Sequence, residues 1–181
     1  KRFLDKVVIV TGSGSGIGER TAQRFAEEGA KVVIAELDKK TGQFVEENIN
    51  KKNNRSKFFE TDVSDFNSVS EMVNNTVKHF GPPDVLINNA GINVFSEPLK
   101  MSETEWKRAF SVDLDGVWYG CKAVLPHMLE KGKGSIMNLS SASSGPPLSK
   151  AFTYSVAKAG IKNLTQNIAR EWGTKGVRVN A

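Results

Sequence analysis

A parallel α/β sheet, wound in both directions and covered by helices on both faces, is the fold this sequence predicts. Three observations predict it. Short aliphatic runs alternate with helix-periodic segments along the chain. The strand runs are apolar throughout rather than at every second residue, as in Val7-Val8-Ile9-Val10, the pattern of strands buried on both faces. The first run passes directly into a glycine-rich turn that opens a helix. Right-handed crossovers then restrict the topology to the doubly wound arrangement.

The elements follow in order. Lys6 to Thr11 is a buried strand. After the glycine turn, Ala22, Phe25 and Ala26 fall at helical spacing and Gly29 ends the helix. Lys31 to Glu36 is the second strand, and a polar helix covers about Thr41 to Lys51. Phe58 to Thr61 is a short third strand. Phe66, Val69, Val73, Val77 and Phe80 mark one face of a helix that stops before Gly81-Pro82-Pro83. Val85 to Ile87 is the fourth strand. A long helical region runs from about Ser102 to Glu130 and opens on a capping box, Ser102 with Glu105. Ser135 to Leu139 is the fifth strand, Tyr154 to Trp172 a helix, and Val177 to Val179 the start of a sixth strand. No repeat and no internal boundary interrupts the order, so residues 1–181 read as one domain.

Composition sets further bounds. With 181 residues, 39% hydrophobic and 25% charged, the chain is neither disordered nor low in complexity. The longest aliphatic run is four residues, against the ~18 to 20 that a membrane span needs. A single cysteine, Cys121, excludes an internal disulfide, and His79 and His127 form no helix-spaced metal pair, so no metal is expected. The expectation is a soluble, cytoplasmic domain that does not engage membranes. The net charge of +5 is spread along the chain, and its densest stretch, residues 51–57, reads as a solvated connection rather than a nucleic-acid surface.

The glycine turn carries the first functional signal. Thr11-Gly12-Ser13-Gly14-Ser15-Gly16-Ile17-Gly18 places Gly12, Gly16 and Gly18 in the spacing G-x-x-x-G-x-G. Residues without Cβ let the backbone approach a pyrophosphate, and the helix N-terminus offers free N–H groups and a positive dipole end. No Lys-Ser/Thr pair follows, which excludes a triphosphate loop. Glu36 ends the second strand, 18 residues after Gly18. A carboxylate there accepts hydrogen bonds from ribose hydroxyls and repels a 2′-phosphate, so NAD is expected over NADP. Lys39 and Lys40 stand close by as a reservation.

These residues, with Asp62-Val63, Asn88-Asn89-Ala90-Gly91, Ser141 and Tyr154-x-x-x-Lys158, give the chain a resemblance to the short-chain dehydrogenase/reductase family along its whole length. The resemblance implies a Rossmann-like fold. It implies cofactor contacts from Gly12, Ser15, Gly16, Ile17 and Gly18, from Glu36 and Leu37, and from Tyr154 and Lys158. Asp62 and Val63 would hold the adenine. Asn89, Ala90 and Gly91 would pass behind the cofactor and brace the sheet.

Tyr154 and Lys158 lie four apart on a helix, so their side chains share a face. A free phenol titrates near pH 10, and a neighbouring ammonium favours its ionised form, as a proton shuttle near neutrality requires. Ser141, at the end of the fifth strand, would hold the substrate oxygen; Ser140, Ser143 and Ser144 compete for that task. The implied reaction is hydride transfer between a nicotinamide cofactor and a secondary alcohol or ketone. Ile92, Asn93, Val94, Phe95, residues 143–148 and Phe152 would wall a site for a sugar, a polyol or a small hydroxy compound. A 3-oxoacyl-[acyl-carrier-protein] reductase is the alternative, against which Glu36 weighs because such reductases generally use NADPH. A non-catalytic NAD-sensing module is the rival of another class, and the complete Ser141, Tyr154, Lys158 set argues against it.

Two departures from the family pattern stand out. The long helix reads Val112-Asp113-Leu114-Asp115-Gly116 where the family commonly has asparagine at the second position. The resemblance implies that this residue keeps a bend in the helix and presents its backbone carbonyl to a water of a proton relay; Asp113 would keep that carbonyl but add a negative charge near Lys158. The chain also closes at Val179-Asn180-Ala181, where the family pattern continues into a lid and a last strand, so a fragment ending after the sixth strand is expected. Family members usually form tetramers through the long helix, where Val117, Trp118, Tyr119, Val124 and Leu125 fit an interface or the core equally.

Overall fold

The computed structural model describes residues 1–53, 55–146 and 148–181, with the Asn53 side chain left aside. Asn54, in the basic connection, and Pro147, in the expected substrate wall, lie outside the described residues.

Six strands, β1 (Val7–Thr11), β2 (Lys31–Glu36), β3 (Ser56–Glu60), β4 (Val85–Asn88), β5 (Gly134–Asn138) and β6 (Val177–Asn180), form one sheet in the order β3-β2-β1-β4-β5-β6. All five pairings are parallel. Strand order reverses between β1 and β4, which opens a crevice at the carboxyl ends of those two strands.

The aliphatic runs are buried on both sides as their composition requires. Every residue of β1 is buried, and alternate residues serve different layers. Val8 and Val10, with Val32 and Ile34, pack on Ala22 and Ala26 of α1 (Gly16–Glu27) and on Val45 and Ile49 of α2 (Lys39–Asn53). Ile9, Val33, Leu86 and Ile136 pack on the other side. There they meet Val69, Met72 and Val73 of α3 (Phe66–Phe80), Val124 and Met128 of α5 (Gly116–Glu130), and Ile168 of α6 (Phe152–Trp172). Each such side chain contributes about 1.5 to 3 kcal/mol on burial.

Helix ends fall where local chemistry dictates. The Asp65 side chain accepts from Asn67 N at 2.9 Å to start α3, and Gly81 stops it at φ 96°. The expected capping box opens α4 (Glu103–Phe110): Ser102 Oγ accepts from Glu105 N at 3.2 Å, and Ser102 N donates to the Glu105 carboxylate at 2.8 Å. The long helical region divides into α4, a wider π-helical turn over Ser111–Asp115, and α5. Four elements begin earlier than their periodicity suggests, β5 at Gly134 and α6 at Phe152 among them. The Asp38 carboxylate accepts from Lys40 N and Thr41 N and brings the start of α2 to Lys39, and β3 takes in Ser56 and Lys57 by pairing with Val32 and Val33.

On α5, Val117, Val124 and Leu125 belong to the core; Tyr119 packs edge-on against Phe66, and Trp118 stays 37% exposed. Among the described residues no helix is long and apolar enough to cross a membrane.

Candidate active site

The crevice beside β1 holds a cleft of about 540 Å³. All of Gly12, Ser15 to Gly18, Glu36, Leu37, Asp62, Val63 and Asn89 to Gly91 line it. That volume suits a small-molecule ligand. Thr61, Ser64, Arg108, Ser111 and Val112 line it as well, and sequence reasoning missed them. Thr61 and Ser64 flank the Asp62-Val63 motif, which is a signal of sorts. Arg108 carried none, because only the fold turns α4 toward this cleft. Lys39 and Lys40 are not among the described lining residues.

Thr11 fastens the floor. Its Oγ1 accepts from Asn89 N at 3.0 Å and Ala90 N at 3.1 Å. Asn89 Nδ2 in turn donates to the carbonyls of Thr11 and Gly12, both at 2.9 Å. This seam ties the loop after β4 to the glycine turn. Gly12 sits in the left-handed region at φ 62°, and a Cβ there would come within 2.7 Å of Ala90 Cα. Ser15, the residue before α1, makes no side-chain cap, and the first helical bond there runs from Glu19 N to Ser15 O. The N–H groups of Gly16, Ile17 and Gly18 therefore precede the helical ladder and remain donors for an anion.

At the β2 end of the cleft, the Glu36 carboxylate accepts from Gly14 N at 2.9 Å, Leu37 N at 2.8 Å and Asp38 N at 3.1 Å. Asp62 Oδ1 is held by Ser64 N at 2.9 Å and Ser64 Oγ at 2.6 Å, which leaves its second oxygen unengaged. A pyrophosphate at α1, a ribose at Glu36 and a base at Asp62 all find complementary groups, so these residues fit a dinucleotide.

Next to Gly91, behind the residues that line the cleft, the structure places buried charge. Lys158 is 4% exposed and donates from Nζ to Leu139 O at 2.7 Å. Its ammonium lies 5.3 Å from the centroid of the Tyr154 ring. The π turn carries Asp113, which is fully buried; Oδ1 accepts from Ile92 N at 2.7 Å, while Oδ2 finds no partner. Burial pushes the Asp113 carboxyl above its ordinary range, against the Ile92 N–H and Lys158. Burial likewise lowers Lys158, and Asp113 opposes it. Gly91 joins this group to the cleft: a Cβ there would lie 3.1 Å from Asp113 Oδ1 and 3.7 Å from Lys158 Nζ.

The serines after β5 separate by their bonds. Ser140 Oγ donates to Lys158 O at 3.0 Å and so anchors α6. Ser143 is buried and donates from N and Oγ to Ser141 Oγ, at 3.2 and 3.0 Å. Ser141 is half-buried and keeps its own proton available, two residues past the carbonyl that holds Lys158.

Behind this end runs a buried chain of amides. Asn88 Nδ2 donates to Asn138 Oδ1 at 2.9 Å, and Asn138 Nδ2 donates to Thr165 Oγ1 on α6 at 2.9 Å. Cys121 adjoins both asparagines, and burial pushes its thiol up to about 12. Of the expected substrate wall, Ile92 lines the cleft, Phe95 is 69% exposed, and Phe152 packs against Trp106 with centroids 5.8 Å apart. Ser96 N donates to Lys150 O at 2.9 Å, tying the loop after β4 to the segment before α6.

Residues 6–181 match the family model for short chain dehydrogenase. The chain is 41% identical over 181 residues to the meso-2,3-butanediol dehydrogenase of Serratia marcescens, covering 99% of this chain and 70% of that one. It is 38% identical over 180 residues to the cis-4-hydroxycyclohexanecarboxylate dehydrogenase of Sinomonas cyclohexanicum, covering 99% and 72%. With glucose 1-dehydrogenase 2 of Bacillus subtilis it shares 36% identity over 184 residues, covering 100% and 71%. A match of that extent, on a sheet of this order, means that the chain belongs to the short-chain dehydrogenase family of nicotinamide-dependent oxidoreductases.

Proposed function

We propose that the domain formed by residues 1–181 transfers a hydride between a nicotinamide cofactor, NAD in preference to NADP, and a secondary alcohol or its ketone. The observation that carries this reading is the buried Lys158 ammonium beneath the Tyr154 ring, where Gly91 closes the cleft. A nicotinamide ring held there supplies the hydride acceptor or donor.

The chain's own residues do the rest. The free N–H groups at the start of α1 take the pyrophosphate. Glu36 accepts from the adenosine ribose, and Asp62 from the adenine amino group. Ser141, its proton unspent, holds the substrate oxygen, and fixing that oxygen sets the reacting carbon in place. Tyr154 exchanges a proton with the same oxygen, and the Lys158 ammonium offsets the charge that develops on the phenol. Asp113 holds the chain at Ile92 against the cleft floor and sets the electrostatics of Lys158.

NAD is favoured because Glu36 keeps a negative charge where a 2′-phosphate would sit. A sugar, a polyol or a small hydroxy compound is the proposed substrate, in keeping with relatives named for a diol, a sugar and a hydroxy acid. The protein is proposed to act in the cytoplasm as a homo-oligomer, a tetramer built on α5, where Trp118 remains exposed. Sedimentation reads that state directly. The function itself is tested by a spectrophotometric screen of diols, polyols and sugars with NAD and with NADP. Turnover with NAD exceeding that with NADP is expected; a preference for NADP refutes the cofactor assignment, and no turnover across the screen refutes the substrate class.

A further inference from the structure

We propose that Gly14 is a specificity-determining residue for the cofactor: its bare Cα and its N–H hold the Glu36 carboxylate against the glycine turn, facing the adenosine ribose. The inference rests on the NAD reading above.

Gly14 stands apart from the other glycines of its turn. It lies outside the G-x-x-x-G-x-G spacing of Gly12, Gly16 and Gly18. Gly12 and Gly16 have positive φ and Gly14 does not, so the backbone does not demand glycine at this position. What demands it is Glu36. A Cβ on Gly14 would come within 2.7 Å of Glu36 Cγ and 3.0 Å of Glu36 Cδ, and would also meet the Thr41 hydroxyl. Thr41 is itself held, with Oγ1 donating to Asp38 O at 3.1 Å and N donating to Asp38 Oδ1 at 3.0 Å. Its hydroxyl can leave by one rotation about χ1, at the loss of the first bond; Glu36 has no such exit without giving up its place.

The three donors on Glu36 are not equivalent. Leu37 N and Asp38 N both reach Oε1 from the turn that Glu36 itself begins, and they would travel with it. Gly14 N reaches Oε2 from 22 residues away and is the bond that ties the carboxylate to the phosphate-binding turn. A carboxylate offers about four lone-pair sites. With two taken on Oε1 and one on Oε2, the remaining site on Oε2 is the one left for a ribose hydroxyl. A side chain at position 14 displaces that oxygen, and both the ribose contact and the repulsion of a 2′-phosphate weaken together.

The test measures dissociation constants for NADH and NADPH by nicotinamide fluorescence, for the wild type, Gly14→Ala, Glu36→Ala and the double variant. Glu36→Ala should lower the NADH-over-NADPH preference about tenfold or more. Gly14→Ala should weaken NADH about tenfold while NADPH moves no more than about twofold. Because both changes act through one carboxylate, the double variant should match Glu36→Ala within about twofold. A Gly14→Ala that folds only in the Glu36→Ala background supports the same conclusion, since the collision is then with Glu36. Three results overturn the proposal: a preference unchanged in Gly14→Ala, including equal weakening of both cofactors, effects that multiply in the double variant, or failure to fold in both backgrounds. An unchanged preference in Glu36→Ala is a different failure, because it removes the NAD reading itself.

Discussion

The two ends of the cleft solve opposite physical problems. At the Glu36 end the carboxylates are half-exposed or shallow, and backbone N–H groups satisfy them: Gly14, Leu37 and Asp38 on Glu36, Ser64 on Asp62. Little desolvation is incurred there, and the groups are held by chain geometry. At the Lys158 end, an ammonium at 4% exposure and a carboxylate at 0% face one another through the interior, with Asp113 Oδ2 unpartnered. Burying such ions costs several kcal/mol each, which the packing of α5 and α6 on the sheet must offset. The first end offers hydrogen-bonding groups to a ligand, and the second keeps charge out of water, where it acts more strongly on a neighbouring group.

The sharpest way to break this division is Tyr154→Phe. The ring and its place above Lys158 remain, and only the hydroxyl goes. Turnover should fall by about a thousandfold, within the range lost with a general acid or base. NADH affinity, set at the far end, should hold within about twofold. Steady-state kinetics and fluorescence titration read the two numbers separately. A variant with near wild-type turnover would remove Tyr154 from the chemistry.

Asn138→Leu attacks the same end from behind. It strips Thr165 Oγ1 of its partner inside the core and removes one of the acceptors of Asn88 Nδ2, which keeps Val117 O at 3.3 Å. Leaving a buried polar group unpaired costs about 1 to 3 kcal/mol, so a stability loss of about that size is expected in urea unfolding. Since Thr165 shares α6 with Tyr154 and Lys158, turnover should drop more than NADH affinity. Equal losses would mean that the amide chain supports the whole sheet rather than the charged end.

Asp113→Asn separates charge from shape. Asp113 has a folded-state pKa above its unfolded value of 3.8, because burial outweighs the Ile92 N–H and Lys158. Its contribution to stability is therefore complete below that unfolded value and is lost as pH rises through the folded one. The asparagine variant lacks this loss, so its stability relative to the wild type should improve as pH rises from about 4 toward neutrality. Thermal melts across that window check the sign. Turnover should be kept or raised, since the Ile92 N–H still finds an acceptor; a large loss would show that the carboxylate charge itself is needed.

These ends also differ in how far the sequence discloses them. The strand and helix order is legible because buried parallel strands must be aliphatic throughout, and Val8 and Ile34 can be read as core without a structure. The glycine turn is legible because a close backbone approach leaves few residue choices. Tyr154 and Lys158 are legible as a pair because helical spacing alone sets them together. The bond from Ser140 Oγ to Lys158 O is not, because it joins residues 18 apart that only packing makes neighbours. Arg108 and the Asn88–Asn138–Thr165 chain are hidden for the same reason. Ser140, Ser141 and Ser143 look alike in sequence and are told apart only by what each hydroxyl already bonds.

The smallest expected effect belongs to the binding end. Ser64→Ala removes the hydroxyl that meets Asp62 Oδ1 at 2.6 Å but leaves the Ser64 N–H bond at 2.9 Å to the same oxygen. If backbone geometry holds that carboxylate, the loss is one redundant bond, worth about 0.5 to 1 kcal/mol. NADH affinity should then fall by only about twofold to fivefold, with turnover at saturating cofactor unchanged. Ser64 also lines the cleft, so a loss beyond about tenfold in NADH titrations would place its hydroxyl on the cofactor rather than on Asp62. The binding end would then depend on side chains as the charged end does, and the contrast between them would narrow to burial alone.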